Sequence, residues 1–480
     1  MSKPFYLTTT LPYVNAEPHI GFALEIVQAD IIARYHLLLG DEIFFNTGTD
    51  EHGLKIYKKA QELGRPTQEY VDEYAEKFKN LQKHLGLSDN LNFIRTTDPG
   101  HMEAARRFWE ICERNNFIYK KNYQVKYCVG CELEKTESEL EDGRCPIHPN
   151  LEVELIDEEN YFFKFKAFEQ DLLKLYERPN FVLPQSRLNE IKAFVGRGLE
   201  DFSISRLASK MPWGVPVPND PDHVMSVWFD ALVNYISALG WPNDLEKFEK
   251  FWGTKESPNA VQFAGKDNLR QQSAMWQAML LAAGLPTSKQ IVIHGFINVD
   301  GQKMSKSLGN VIDPIKLVEE YGTDAVRYYL ARHVNPFEDS DFTLEKFKEA
   351  YNANLANGLG NLVSRVMKMA EVNNIKSDVN FEIDKELFGE MKNIDSFEFN
   401  KEMDAIWKYI SDVDNFIQNH KPFELIKTNR PQAEEDIKLV LRWLARIAMW
   451  LRPFMPSSAE KIRTAICENK MPEALFRRKD

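Results

Sequence analysis

The chain has 480 residues, with 60 Lys and Arg against 72 Asp and Glu and a formal net charge of −12. Its 43% apolar and 12% aromatic residues supply several packed cores, which excludes global disorder, and the length suits about three domains of roughly 100–200 residues. No stretch approaches the roughly 18–20 uncharged apolar residues of a membrane-spanning helix, and the acidic balance argues against non-specific polyanion binding while leaving local basic patches available to a specific nucleic-acid partner.

Met1-Ser2-Lys3-Pro4-Phe5 lacks the apolar run of a signal peptide, so a soluble, cytoplasmic protein is expected. Phe5 to Thr10 reads as a strand, and a loop from Leu11 to Gly21 follows it. Phe22 to Leu39 has helical spacing with Gly40 as a C-terminal cap, Ile43 to Thr47 is a second strand, and Pro66 to Leu85 a second helix. This rhythm predicts a doubly wound parallel α/β sheet of Rossmann type. Residues 1–115 are its expected first half, and 116–218, rich in cysteine, acidic runs and the segment Pro212-Trp213-Gly214-Val215-Pro216, an insertion. Residues 219–320 are the second half, with strands at His223 to Phe229, Val261 to Ala264 and Gln290 to Ile297. Residues 321–350 read as a linker, and 351–480, with little but helical periodicity, as an all-α bundle.

Three features carry chemistry. The loop Pro12 to Phe22 leads from a strand into a helix, where backbone donors and the positive helix end favour phosphate; His19 is a further donor, and Gly21 permits close approach of a base. Lys303-Met304-Ser305-Lys306-Ser307 is a basic loop after a strand, suited to a polyphosphate. Cys128-x2-Cys131 and Cys145-x2-His148, thirteen residues apart, form a tetrahedral Zn²⁺ set with every position filled by protein, hence structural rather than catalytic. Cys112 and Cys467 have no spaced partners and read as core residues.

The two loops together resemble the "HIGH" and "KMSKS" signatures of the class I aminoacyl-tRNA synthetases. Leu11-Pro12-Tyr13, Thr47 to Gly53, Val227 to Ala231, Gly265-Lys266-Asp267 and Asn361 to Arg365 extend the resemblance, over nearly the whole chain, to the methionyl-tRNA synthetases. That resemblance implies a ligase acting on ATP, L-methionine and tRNA(Met), with one structural Zn²⁺ in the insertion and Mg²⁺ accompanying ATP. It implies His19, Lys303 and Lys306 as catalytic groups, and Tyr13, His19, Gly21, Glu25, Gly265, Asp267 and Lys306 around ATP. Leu11, Tyr13, Trp228, Ala231, Leu232, Tyr235, Gln272 and Trp276 would line a methionine pocket, which suits a polarizable thioether, and Asp50 would hold the substrate ammonium. Asn361, Arg365 and Phe423 would read the anticodon. Relatives often append a dimerising tRNA-binding module that is not seen here, so a monomer is expected. The roughly 100-residue insertion is short for an editing domain of the kind found in the Leu, Ile and Val ligases.

Three positions depart from the family pattern. Phe22 stands where a second histidine is usual, removing a phosphate-facing donor worth about 1–3 kcal/mol. Gln272 replaces a pocket histidine but still hydrogen-bonds, and Phe423 replaces a tryptophan while keeping a π face for stacking. Two other readings compete: a catalytically silent tRNA-binding relative, which Phe22 alone favours, and a small-molecule adenylate-forming enzyme, against which the helical domain with Asn361 and Arg365 counts.

Overall fold

The computed structural model describes residues 2–480 except 136, 305–308 and 383–384. Its central sheet is built from β1 (Pro4–Thr8), β2 (Glu42–Thr49), β3 (Leu91–Arg95), β4 (Val182–Leu183), β5 (Ala260–Gly265) and β6 (Gln290–His294). They lie in the order β3-β2-β1-β5-β6-β4, every pair parallel. Phe5 and Leu7 of β1 enter one hydrophobic core and Tyr6 the other, so the strand is apolar on both faces, as a covered parallel strand must be. The chain runs outward in opposite directions from β1 and β5, which makes the gap beyond their carboxyl ends the switch point where ligands of doubly wound sheets bind.

Helices α1 (Ile20–Leu39) and α2 (Thr67–His84) cover one face and α3 (Pro99–Arg114) the other. Gly40 closes α1 in the left-handed conformation at φ 85°, as expected of it. The insertion contributes a four-stranded antiparallel sheet, dominated by the long pair Ile118–Cys128 and Glu154–Phe163, and two strands of a smaller three-stranded one.

One expectation about the central sheet needs correction. The run His223 to Phe229 does not join the central sheet: the strand Asp220–Met225 pairs antiparallel with Ser205–Leu207, and Val227–Ala231 is helical. The edge strand of the central sheet is β4 instead, two residues from within the insertion that were too short to show a strand pattern.

After the sheet come α4 (Thr323–Arg332), α5 (Asn361–Asn373), α6 (Phe399–His420), α7 (Arg430–Leu451) and α8 (Pro456–Glu468). Within the 321–350 segment, eight of the ten residues of α4 are buried. Its Arg327 donates to the carbonyls of Phe454, Pro453 and Leu85 at 2.8, 2.9 and 3.2 Å and pairs with Asp30 of α1 at 2.8 Å. A buried guanidinium satisfied this fully locks the helical bundle onto the sheet, and one core runs through both. Cys112 lies buried in α3 as expected, and burial raises its thiol pKa. Cys467 does not follow: it lies on the exposed face of α8, and its spacing to Ile462 and Ile466, which point inward, explains why.

Candidate active site and metal centre

β1 ends at Thr8, and the loop beyond it reaches α1 at His19, the helix N-cap. The Gly21 backbone N–H donates to His19 Nδ1 at 3.1 Å, so the neutral ring carries its proton on Nε2. A side chain at Gly21 would meet the His19 ring at 2.9–3.0 Å; the glycine is therefore required first by the histidine itself, ahead of any nucleotide base. No acidic residue lies in the first turn of α1, which leaves the positive end of its dipole uncompensated. Phe22 meets Phe78 of α2 edge-on at 5.2 Å and 90°, and both rings belong to the wall of the switch-point cavity.

A cavity of about 490 Å³ opens at the switch point. Leu11, Tyr13, His19, Gly21, Glu25, Asp50, Trp228, Ala231, Leu232, Tyr235, Gly265, Asp267 and Gln272 all contribute to its wall. Trp276 does not; it is fully buried behind Tyr235, ring centres 6.0 Å apart, where it packs the pocket's back wall. Lys303 ends the short strand Gln302–Lys303, paired with Ile297–Val299, while Lys306 lies outside the described residues.

Asp50 is held against the β1 loop by backbone bonds, Asp50 N–H to the Pro12 carbonyl at 3.0 Å and Val14 N–H to the Asp50 carbonyl at 3.1 Å. Its side chain is buried in the cavity wall, and Oδ1 has no hydrogen-bond partner among the described residues. Burial, and then the nearby Asp230 and Glu132 carboxylates, push its pKa well above the usual range, so the site is prepared for a cation. Asp230 itself is satisfied by His52 Nδ1 at 2.6 Å and His101 Nε2 at 2.9 Å; despite its burial, these partners hold it down at about 2. This cluster ties the Trp228 helix to the Asp50 loop.

At the α1 end of the cavity, Glu25 accepts from Thr10 N–H and Oγ–H at 2.7 and 2.6 Å and pairs with His294 Nε2 at 2.8 Å. Burial works against a charged His294, but the Glu25 carboxylate prevails and raises its pKa. His294 escaped the sequence reading because the last residue of a buried strand carries no local signature of a site.

Cys128, Cys131, Cys145 and His148 converge, with their ligand atoms all within 4.8 Å of one another. The Cys131–Cys145 sulfur separation of 3.5 Å and the Cys131 Sγ to His148 Nδ1 separation of 3.2 Å approach the edge of about 3.5–3.8 Å set by ligands about 2.0–2.3 Å from a tetrahedral zinc. A side chain at Gly130 would strike the His148 ring at 2.5–2.8 Å, so the Cys-Val-Gly-Cys turn is shaped around that ligand. The donor set fits Zn²⁺. The knuckle also closes the cavity: Trp228 Nε1–H donates to the Cys131 carbonyl at 3.2 Å, and Glu132 accepts from the Tyr13 hydroxyl at 3.0 Å, from Lys55 N–H at 3.1 Å and from the Tyr127 hydroxyl. Glu132 was missed because the metal spacing beside it accounts for the local sequence by itself.

Some distance from the cavity, Asn361 is exposed at the start of α5, and Arg365, one turn on, pairs with Asp414 of α6. Phe423, 43% exposed, follows the end of α6 in the short helix Pro422–Leu425. From Asp414 to the Lys421 cap is seven residues, about 10 Å of helix, which puts the three residues toward one end of the bundle.

Residues 5–153 and 134–367 match the family described as tRNA synthetases class I (M), and 368–475 the anticodon binding domain of methionyl tRNA ligase. A methionine–tRNA ligase of Thermotoga maritima is 40% identical over 98% of this chain and 76% of its own length. One from a Nostoc species is 40% identical over 96% of this chain and 89% of its own. The structure of a Mycobacterium tuberculosis methionyl-tRNA synthetase in complex with methionyl-adenylate superposes with a TM-score of 0.89 at 33% identity, covering 100% of this chain and 99% of that one.

Proposed function

The chain belongs to the methionyl-tRNA synthetases of class I, and from that membership we propose how its residues divide the work. It is a ligase that activates L-methionine with ATP, releasing pyrophosphate, and transfers the methionyl group to the terminal ribose of tRNA. One observation carries the assignment of parts: Asp50, buried with an unpartnered carboxylate oxygen, shares one cavity with the apolar wall of Leu11, Trp228 and Ala231 and with His19 at the start of α1. A zwitterion with an unbranched apolar side chain satisfies all three regions at once.

In this reading the ammonium pairs with Asp50, a charge-assisted bond that fixes the carboxylate toward the nucleotide end. A carboxylate oxygen attacks the α-phosphorus of ATP, the bond to pyrophosphate breaks, and methionyl-adenylate forms. His19 Nε2–H and the amino end of α1 meet the negative charge that develops on the phosphates, with Tyr13, Gly21, Glu25, Gly265 and Asp267 shaping the nucleotide site and Lys303 and Lys306 completing it. Mg²⁺ accompanying ATP would supply counter-charge to its phosphates. The ribose hydroxyl then takes the acyl group and AMP leaves. Cys128, Cys131, Cys145 and His148 hold zinc as a structural ion, and Asn361, Arg365 and Phe423 hold unstacked anticodon bases.

The division into residues 1–115 and 219–320 as sheet halves, 116–218 as insertion, 321–350 as a stem-side connection and 351–480 as the anticodon domain belongs to the same proposal, as do a cytoplasmic location and a monomer, which sedimentation velocity checks. Among the described residues no helix is long and apolar enough to cross a membrane. Methionine-dependent pyrophosphate exchange, run against leucine, isoleucine and cysteine, tests the function; Lys306→Ala should lower its rate by about 10²–10³-fold. Exchange that ignored the amino acid supplied would refute the pocket assignment.

A further inference from the structure

A second cavity, of about 270 Å³, lies where the sheet meets the helical bundle, between α1, α7 and α8. Leu38 of α1, Phe381 and Met449 of α7 give it an apolar wall. Three guanidinium groups line it as well, Arg34 of α1, Arg452 at the end of α7 and Arg463 of α8, against the single carboxylate of Glu460. From the His19 cap to Arg34 is fifteen residues of α1, about 22 Å of helix, and no residue lines both this cavity and the one at the switch point.

The three cations differ in how far the protein has already satisfied them. Arg34 donates through Nε to Asp30 at 2.7 Å and through Nη2 to the Gly86 carbonyl at 2.8 Å, and Asp30 is shared with the buried Arg327. Arg463 holds both oxygens of Glu460, at 2.8 and 2.5 Å. The half-buried side chain of Arg452 makes no hydrogen bond and no ion pair among the described residues. Burial lowers its pKa; the Glu460 charge opposes that shift and the Arg463 charge adds to it. A planar cation with five donors is thus kept beside an apolar wall against the cost of burying it, a placement suited to an oxyanion.

We propose that this cavity binds a small phosphate monoester, its phosphate on Arg452 and Arg463 and its organic group on the wall of Phe381 and Met449. Three guanidinium groups less one carboxylate leave the lining with an excess of two positive charges. A phosphate monoester carries about −1.5 to −2 at pH 7 and three strong acceptor oxygens, whereas a carboxylate offers one charge and two oxygens. Bare phosphate would leave the apolar wall unused. The volume stands at the small end of the roughly 300–1,000 Å³ of ligand pockets, which suits a small organic group. Because α1 belongs to the sheet and α7 and α8 to the bundle, the ligand would brace the junction between them.

Titration calorimetry at constant ionic strength tests the site with phenyl phosphate, inorganic phosphate and phenol, on the wild type, Arg452→Met and Glu460→Gln. Phenyl phosphate should bind the wild type more tightly than inorganic phosphate does, and phenol should not bind. Arg452→Met should weaken phenyl phosphate binding by about tenfold or more, with methionine-dependent pyrophosphate exchange unchanged. Glu460→Gln removes the competing carboxylate and frees Arg463, so binding should tighten by about two- to fivefold; a folding defect does not produce such a gain, and this variant serves if Arg452→Met does not fold. Inorganic phosphate binding as tightly as phenyl phosphate would overturn the monoester in favour of the bare ion. Equal binding of phenyl phosphate by the wild type and Arg452→Met would put the ligand elsewhere and overturn the site. So would an absence of binding to the wild type, which would leave Arg452 only as a cation at the carboxyl end of α7.

Discussion

The Tyr13 hydroxyl donates to the Glu132 carboxylate at 3.0 Å across 119 residues of sequence, joining the loop after β1 to the metal knuckle. The same carboxylate accepts from Lys55 N–H, and the Trp228 indole reaches the carbonyl of the neighbouring Cys131. Two walls of the cavity thus hang on the segment that carries the Cys128, Cys131, Cys145 and His148 cluster.

Glu132→Ala should therefore loosen the pocket while sparing the metal. Hydrogen bonds to a charged group contribute about 1.5–3 kcal/mol, so the methionine KM should rise about tenfold or more, with a smaller rise in the ATP KM through Tyr13. Kinetics give the first number and metal analysis the second; a loss of zinc in this variant would show that Glu132 supports the knuckle instead.

Purified protein should contain about one equivalent of zinc, and Cys145→Ser should lower it. Because Trp228 and Tyr13 are both tied to this segment, chelation should lower the melting temperature and weaken methionine binding together. Titration calorimetry with methionine before and after chelation checks the coupling. Unaltered affinity in the stripped protein would show that the knuckle holds its shape without metal.

His294 makes stability depend on pH in the alkaline direction. Its folded-state pKa is raised above 6.5 by Glu25, against the effect of burial, so the folded state binds the proton more tightly than the unfolded state. The contribution of the pair is complete below pH 6.5 and is lost as pH rises through the folded-state value. His294→Gln, which still donates to Glu25 but carries no charge, should be less stable than wild type at pH 6, with the gap closing toward pH 9. Urea unfolding at both pH values measures it, and a gap of constant size would refute the assignment.

Phe22→His should cost stability. The Phe22 ring meets Phe78 at 90°, and an edge-to-face pair contributes about 0.5–1.5 kcal/mol. A drop in melting temperature of a few degrees is expected, and calorimetry detects it. Equal stability would mean that the aromatic pair contributes nothing here.

Arg365→Ala and Phe423→Ala should weaken aminoacylation of a CAU-anticodon tRNA, the latter by about 1–3 kcal/mol of lost stacking, and leave pyrophosphate exchange intact. Phe423→Trp should be tolerated. The Arg365–Asp414 pair is partly exposed, so its loss costs little stability, and a parallel decline in both assays would instead expose a folding defect.

What the sequence determined unaided was chemistry that depends on near neighbours. The Cys-x2-Cys and Cys-x2-His spacings set a ligand quartet because two intervening residues bring donors to one centre, and they converge as expected. Gly40 ends α1 because only the left-handed region stops the helix there at little cost. The apolar runs of β1, β5 and β6 marked strands covered on both faces. Tertiary structure decided everything that needed distant segments to meet. It put β4 rather than His223 to Phe229 in the central sheet, Trp276 behind Tyr235 rather than in the cavity, and Cys467 on the surface. It also brought Glu132 to Tyr13 and Gln262 to Gln272. A single buried polar side chain reads locally as an unfavourable choice, and only the fold supplies the partner that makes it stable.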